Sequence, residues 1–367
     1  MMRLGITGGD GFLGWHLRAY LHHRKDITVK VAGRPCFAAK QSLMDFVRGL
    51  DAVIHFAGMN RGEESEIERT NLALTHALIE ACAAEAVSPH IVFANSTHFD
   101  RDTAYARSKR EAASLLEEWA ARTVGARFTN LVLPGVFGEH GRPFYNSVVS
   151  TFCHQLAFGE TPVVQEDREI ELVHAQEVAQ IIMQVVDARQ AGPVSVSGHQ
   201  VSVSRLLERL RGMAEDYQAS LLPEVSAPFD LALFNTYRSY LFPHRYPVPL
   251  ALRSDARGGL FEAVKTLHGG QCFLSTTHPG ITRGNHYHAA KLERFLVIQG
   301  EARIQIRRLF STKVETFLVS GEQPAYIDMP TFHTHNILNV GAGELTTLFW
   351  AQEIFDPACP DTYNEPV

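Results

Sequence analysis

Four side chains in the last quarter of the chain have the types that bind transition metals: His286, His288, Glu293 and His335. The first three fall in "GITRGNHYHAAKLERFLVIQG" (Gly280–Gly300), the fourth in "MPTFHTHNILN". Residues two apart on a strand project to one side, so His286 and His288 would face the same point. Glu293 opens the next strand-like run, "RFLVIQG", and can reach that point too. Three imidazoles and a carboxylate suit Zn2+, with Fe, Mn and Ni also compatible. His333 lies close enough in sequence to exchange places with His335.

A second constellation sits near residue 100. In "TAYARSK", Tyr105 and Lys109 are four residues apart and share one face of a helix. An ammonium beside the phenol is expected to favour its ionised form, poising the tyrosine for proton exchange with a carbonyl oxygen. Ser96 and Thr97, at the end of "HIVFANST", compete to donate a hydrogen bond to that oxygen. Upstream, "TGGDGFLGWHL" spaces Gly8, Gly11 and Gly14 between a strand and a helix, the pattern that brings a dinucleotide pyrophosphate to a helix N-terminus. An NAD site would show an acidic residue after the second strand, "ITVKVAG"; here stand Gly33 and Arg34. An arginine suits a 2′-phosphate, so NADPH is expected.

The elements that must position these groups are of two kinds. "RLGIT", "ITVKVAG", "DAVIHFAG" and "HIVFANS" read as buried strands alternating with helical patterns, which implies a parallel sheet covered on both faces. No strand is recognisable in "CFAAKQSLMDFVRG". Prolines crowd Pro243–Pro249, and beyond them the chain becomes short β runs with turn signals. The expected organisation is an α/β, Rossmann-like domain over residues 1–245 and an all-β domain over 246–367. With 367 residues, 45% hydrophobic, two domains are within reach. A net charge of −6 argues against nucleic acid as a partner. Five scattered cysteines without a CxxC fit a reducing cytoplasm. "MMRLGITGGD" runs straight into a strand, leaving no room for a signal peptide, and no apolar run suggests membrane insertion.

The N-terminal motifs resemble the extended short-chain dehydrogenase/reductase family: the glycine loop, "HFAG" (His55–Gly58), Asn71, the Ser96/Thr97 hydroxyl and Tyr105-x-x-x-Lys109. That resemblance implies cofactor contacts from Gly8, Asp10, Gly11, Phe12, Leu13, Gly14, Arg34, Phe56, Ala57, Gly58, Asn71, Tyr105, Lys109 and Pro134. It also implies Tyr105 as acid/base, Lys109 on the nicotinamide ribose, and Asn60 and Asn146 as substrate contacts. "VLPGVFG" (Val132–Gly138) departs from the family stretch by lacking its Arg and Asn.

The C-terminal motifs resemble a cupin (double-stranded β-helix), with Pro330, His335 and Asn339 in the second motif and Phe332 where glycine is usual. "DARGGLFEAVK" (Asp255–Lys265) and "TRGNHYH" also resemble metal-free sugar-nucleotide 3,5-epimerases, in which the histidine aligned with His286 is the base. Here Glu293 and His335 complete a ligand set, so His286 is read as a ligand first.

Together, with "FYNSVVSTFCHQLAFGE" (Phe144–Glu160), "FNTYRSYL" (Phe234–Leu241) and "FDPACPDTY" (Phe355–Tyr363), the whole chain resembles bifunctional capsule and O-antigen enzymes of the CapF/WbjC type. The resemblance implies C3 epimerisation of a UDP-2-acetamido-2,6-dideoxy-4-hexulose in the cupin. NADPH reduction of C4 would follow, giving UDP-N-acetyl-6-deoxy-L-talosamine (UDP-N-acetylpneumosamine) on the way to UDP-N-acetyl-L-fucosamine. It implies a homodimer. Arg283 is the expected diphosphate contact, with His333 a further substrate contact. Four protein ligands favour a structural metal. The rival reading is a reductase alone, its cupin a metal-stapled dimerisation or binding module.

Overall fold

The computed structural model describes residues 1–367 other than 98, 100, 252, 256, 257, 261, 262, 267 and 268, so the "DARGGLFEAVK" stretch lies partly outside the described residues. Packing divides the chain into two units: Met1–Phe137 with Glu169–Val201, and Gly138–Arg168 with Ser202–Val367.

In the first unit strands and helices alternate: β1 (Met2–Thr7), α1 (Phe12–Leu21), β2 (Ile27–Ala32), α2 (Arg34–Ala38), α3 (Lys40–Val47), β3 (Ala52–His55), α4 (Glu64–Ala84), β4 (His90–Ser96), α5 (Ala104–Arg122) and β5 (Arg127–Leu133). After β6 (Gly135–Phe137) and α6 (Val148–Ala157), which belongs to the second unit, come β7 (Glu169–His174), α7 (Ala175–Asp187), β8 (Gly192–Ser195) and β9 (His199–Ser202). Six strands form one parallel sheet in the order β2-β1-β3-β4-β5-β8. The strands are continuous apolar runs because both faces are covered: Ile54 and Val92 face one core, Val53 and Ile91 the other. The stretch without a recognisable strand forms α2 and α3, which bury Leu43, Phe46 and Val47. Strand order therefore reverses between β1 and β3, and their carboxyl ends frame the crevice where such sheets bind ligands.

The second unit carries the expected cupin fold, two five-stranded antiparallel sheets around a shared core. One runs Val248–Pro249, Ala325–Met329, Glu293–Gln299, Leu345–Ala351, Gln271–Thr277; the other Val314–Ser320, Glu301–Arg308, His333–Asn339, Thr282–Tyr287, Tyr363–Asn364. Alternate residues Ala302, Ile304 and Ile306 point inward to meet Phe295, Val297 and Ile337.

Two helices, α8 (Val203–Gln218) and α9 (Pro228–Leu241), pack with this barrel. Buried polar groups fix them there. The Arg294 guanidinium forks onto Asp328 at 2.7 and 3.0 Å, Tyr217 Oη donates to the same carboxylate, and Tyr217 and Tyr246 hydroxyls meet at 2.7 Å. The change from α/β to all-β texture near residue 245 is thus not where packing divides the chain. Among the described residues no helix is long and apolar enough to cross a membrane.

Candidate active site and metal centre

The glycine loop follows β1 directly. Gly8 has φ +67°, a conformation suited to glycine, and a Cβ there would lie 2.8 Å from the Ala57 amide nitrogen. A Cβ on Gly14 would lie 2.3 Å from Gly8 O, so only glycine lets α1 seat on the loop. Gly11 caps α1 without a side-chain bond to the first-turn amides, which suits a phosphate-bearing ligand. Phe12 and Leu13 open the helix; Asp10 pairs with Arg18 at 2.8 Å. Arg34, the first residue of α2, is exposed just after β2. This donor and space pattern fits a dinucleotide.

Across the crevice, the segment Phe56–Gly58 is held from beneath. Thr7 Oγ1 accepts from Ala57 N at 3.1 Å and bonds His55 Nδ1 at 2.7 Å. Burial and then the charge of Lys109 hold the His55 imidazole down to about 3, so it is neutral. Asn71 is tied to the same loop: Met59 N donates to its Oδ1 at 2.6 Å and its Nδ2 donates to Met59 O at 2.9 Å. Its amide also reaches Ser108 Oγ at 2.9 Å, and Ser108 donates to Tyr105 O at 2.8 Å. Thr7 and Ser108 escape sequence inspection because a polar side chain at a buried position has no periodic signature.

Thr103 caps α5 by accepting from Ala106 N at 3.2 Å, which sets Tyr105 in the first turn. Lys109 is buried; its Nζ donates to Ala94 O at 2.7 Å and lies 4.3 Å from the Phe93 ring centroid, against 5.8 Å from that of Tyr105. The expectation that Lys109 draws the phenol down is therefore corrected. Burial pushes Tyr105 up and Lys109 down to about 8. Ser96 ends β4 half-buried, whereas Thr97 is exposed in the turn that follows. Pro134 is buried between β5 and β6; Asn60 is half-buried beyond the Phe56–Gly58 segment.

In the barrel, one donor atom each from His286, His288, Glu293 and His335 lies within 4.8 Å of all the others. His288 Nε2 is 3.1 Å from Glu293 Oε2 and His335 Nε2 is 3.7 Å from it. In two of the three histidines the other ring nitrogen is fixed by a carbonyl: His288 Nδ1 on Asp361 O at 2.6 Å, His335 Nδ1 on His333 O at 3.1 Å. A nitrogen facing a carbonyl carries the proton, which leaves Nε2 of His288 and of His335 aimed at the cluster. His335 Nε2 is fully buried and makes no hydrogen bond. Burial, with neighbouring histidines, pushes His286 down to about 3, and burial also lowers His335. Burial opposes ionisation of Glu293, yet its contact with His288 and the nearby His335 imidazole hold it well below the carboxylate range. Against burial, Glu293 raises His288, so a cation would have to displace any proton shared between them; a carboxylate and three imidazoles around an orphaned buried nitrogen fit a divalent ion in that role.

His335, not His333, joins the cluster. His333 bonds Thr331 O through Nδ1 at 2.8 Å and packs its ring 5.0 Å from that of Phe242. Phe332, standing where cupins have glycine, is buried with φ +58° and donates its N–H to His288 O at 2.8 Å. Asn339 is structural, donating to Thr277 O and Gly343 O. Arg283 is exposed and held by Thr277 Oγ1 and Thr276 O; Asn146 is exposed one residue before the Ser147 cap of α6. Asp361, which the sequence did not single out, accepts from the amides of Ala289, Ala290 and Lys291 at 2.9, 2.8 and 2.6 Å.

Two family models match the chain. Residues 4–199 match the NAD dependent epimerase/dehydratase family and residues 253–363 the polysaccharide biosynthesis C-terminal domain. The chain is 34% identical over 368 residues, 99% of its length and 98% of the relative's, to UDP-2-acetamido-2,6-beta-L-arabino-hexul-4-ose reductase of Pseudomonas aeruginosa. It also resembles the crystal structure of the capsular polysaccharide assembling protein CapF from Staphylococcus aureus, at 28% identity, TM-score 0.61 and full coverage of both chains. RMD from Pseudomonas aeruginosa, solved with NADPH, shares the fold over 66% of this chain and 99% of its own, at 20% identity and TM-score 0.54. The chain belongs to the NAD dependent epimerase/dehydratase family, in its CapF/WbjC type.

Proposed function

We propose that the chain is an NADPH-dependent reductase of a UDP-linked 4-keto-6-deoxy-N-acetylhexosamine, and that its barrel inverts C3 of the same sugar before reduction. The observation that carries the reductase reading is Tyr105 and Lys109 on α5, in a chain 34% identical along its whole length to a 4-ulose reductase. When bound, NADPH supplies the hydride that adds to C4. Tyr105 Oη gives its proton to O4 as the carbonyl carbon accepts that hydride; the raised phenol keeps this proton in place at neutral pH. Ser96, half-buried at the end of β4, is favoured over Thr97 as the donor orienting the ketone. Arg34 supports NADPH over NADH.

The C4 ketone acidifies the C3 proton, so inversion needs a base, a stabiliser for the enolate and an acid on the opposite face. His286, His288, Glu293 and His335 would hold zinc or a similar ion beside the reacting sugar. That ion would supply either charge stabilisation or a staple, and four protein ligands favour the staple. Inversion before reduction is the sensible order, since reduction removes the activating ketone. The product would be UDP-N-acetyl-6-deoxy-L-talosamine, made by a homodimer, with Asn60, Asn146, Arg283 and His333 as substrate contacts.

Incubating the protein with the 4-keto sugar nucleotide in D2O, with and without NADPH, tests both steps by proton NMR. Loss of the C3 proton signal without NADPH, then NADPH oxidation on adding it, is expected. NADPH oxidation with the C3 proton retained would leave the reductase with the barrel as a metal-stapled module. Neither signal would overturn the substrate class.

A further inference from the structure

The metal ligands reach the cluster from two separate segments, and one helix grips both. The loop from His288 to Glu293 presents Ala290 O, which accepts from Asn235 Nδ2 of α9 at 2.9 Å. The segment leading into the strand of His335 presents Met329 O, which accepts from Arg238 Nη2 of α9 at 2.7 Å. Arg238 Nη1 also donates to Asn235 Oδ1 at 3.0 Å, joining the two grips into one chain of hydrogen bonds. Asn235 and Arg238 are three residues apart, on one face of the helix. Both are buried, at 4% and 2% exposure, so neither is in place by chance of solvation. The buried Arg238 guanidinium also lies in the field of Asp328 and beside Tyr217, so its charge is compensated while two of its N–H groups are committed to Met329 O and Asn235. Between the grips, Phe332 N donates to His288 O at 2.8 Å, so any shift of one segment is felt by the other.

We propose that Asn235 and Arg238 are positioning residues of the metal centre: α9 sets the separation of the two ligand-bearing segments, and metal affinity belongs to barrel and helix together. This rests on the reading of the His/Glu cluster as a metal site. Neither residue touches the ligands, so their effect passes through the carbonyls of Ala290 and Met329.

The test uses the full chain and Zn2+ in competition with a chromophoric chelator, with the visible spectrum of the Co2+-substituted protein as a report on ligand geometry. Asn235→Asp keeps an acceptor for Arg238 but cannot donate to Ala290 O, so it breaks one grip with little change in volume. Arg238→Met removes the other. Each is expected to weaken Zn2+ about 10–100-fold and alter the Co2+ spectrum, the size typical of lost outer-shell partners. Ser239→Ala, on the same helix but off this chain of bonds, should stay within about twofold of wild type on the same comparison. A wild-type near-UV circular dichroism spectrum, which reports the buried Tyr217, Tyr237 and Tyr246 around α9, serves as the check that a variant is folded; if Arg238→Met fails it, Asn235→Asp decides. Equal Zn2+ affinity in a folded Asn235→Asp protein and wild type overturns the proposal. A wild-type chain that binds neither Zn2+ nor Co2+ overturns the metal reading itself, and the positioning role with it.

Discussion

Asn71 donates to Ser108 Oγ at 2.9 Å, and through that hydroxyl it reaches the backbone of Tyr105. The same side chain holds Met59 by both its N–H and its C=O, so one residue of α4 joins the crevice loop to the helix bearing the acid. Asn71→Ala leaves several buried polar groups unmatched and should cost about 2–3 kcal/mol of stability. Ser108→Ala cuts only the link to α5. It should lower kcat about tenfold or less while denaturant midpoints move by no more than about 1 kcal/mol. Equal kcat in Ser108→Ala and wild type would remove the link from the mechanism.

Tyr105→Phe keeps the ring and removes the proton. Turnover should fall about 10²–10⁴-fold with NADPH affinity unchanged, as read by fluorescence titration and steady-state rates. Because burial raises the phenol, ketone reduction should hold steady through neutral pH rather than fall on an acid-to-neutral titration.

His55 is neutral in the fold, held down to about 3 by burial, against an ordinary value of 6.5. Between these values the unfolded chain binds the extra proton, so acidification favours unfolding and stability rises with pH across that window. At pH 5 the loss from this residue alone is about 2 kcal/mol relative to neutral pH. Melting curves from pH 7 to pH 4.5 should drop steeply for wild type and less steeply for His55→Gln.

One divalent ion per chain is expected. Glu293→Ala and His335→Ala should each reduce its retention at least tenfold, measured by atomic absorption after dialysis. Chelation should lower the melting temperature of wild type and leave the Glu293→Ala protein unmoved.

Asp328 faces Arg294 directly and lies in the field of Arg238, all three buried. Asp328→Ala would strand two cations in the interior and should cost about 3–5 kcal/mol, seen as a shifted urea midpoint. Replacing Arg294 and Asp328 together by apolar residues should recover much of that loss.

The parts legible in the sequence were those whose partners lie nearby or repeat. The glycine loop sits inside one strand-turn-helix, Tyr105 and Lys109 share one helix, and three of the four metal donors fall within eight residues. The fourth, His335, comes from a distant strand and is legible as one of the two histidines, with His333, that follow Pro330. The supports were not legible. Asp361 is 70 residues from the amide of Lys291 that it holds, and Tyr217 is 111 residues from Asp328. Lone polar residues of that kind look like surface until the fold buries them. The direction of the Tyr105 shift was also missed, because helical spacing says nothing about Ala94 O, which takes the Lys109 proton donor away from the phenol.

The distance along the chain between Arg238 and Met329, 91 residues, is also an interval of time during synthesis. At about 5–20 residues per second, the helix leaves the ribosome roughly 5–20 s before its carbonyl acceptor exists. Every strand of the parallel sheet has been made by residue 195, so the nucleotide-binding half can close early. Over the same seconds α8 and α9 wait with Tyr217, Asn235 and Arg238 still in water. A translational pause or premature stop between residues 245 and 329 would leave a finished sheet attached to helices that cannot yet bury their polar side chains, a species chaperones and proteases would see before any partner strand arrived.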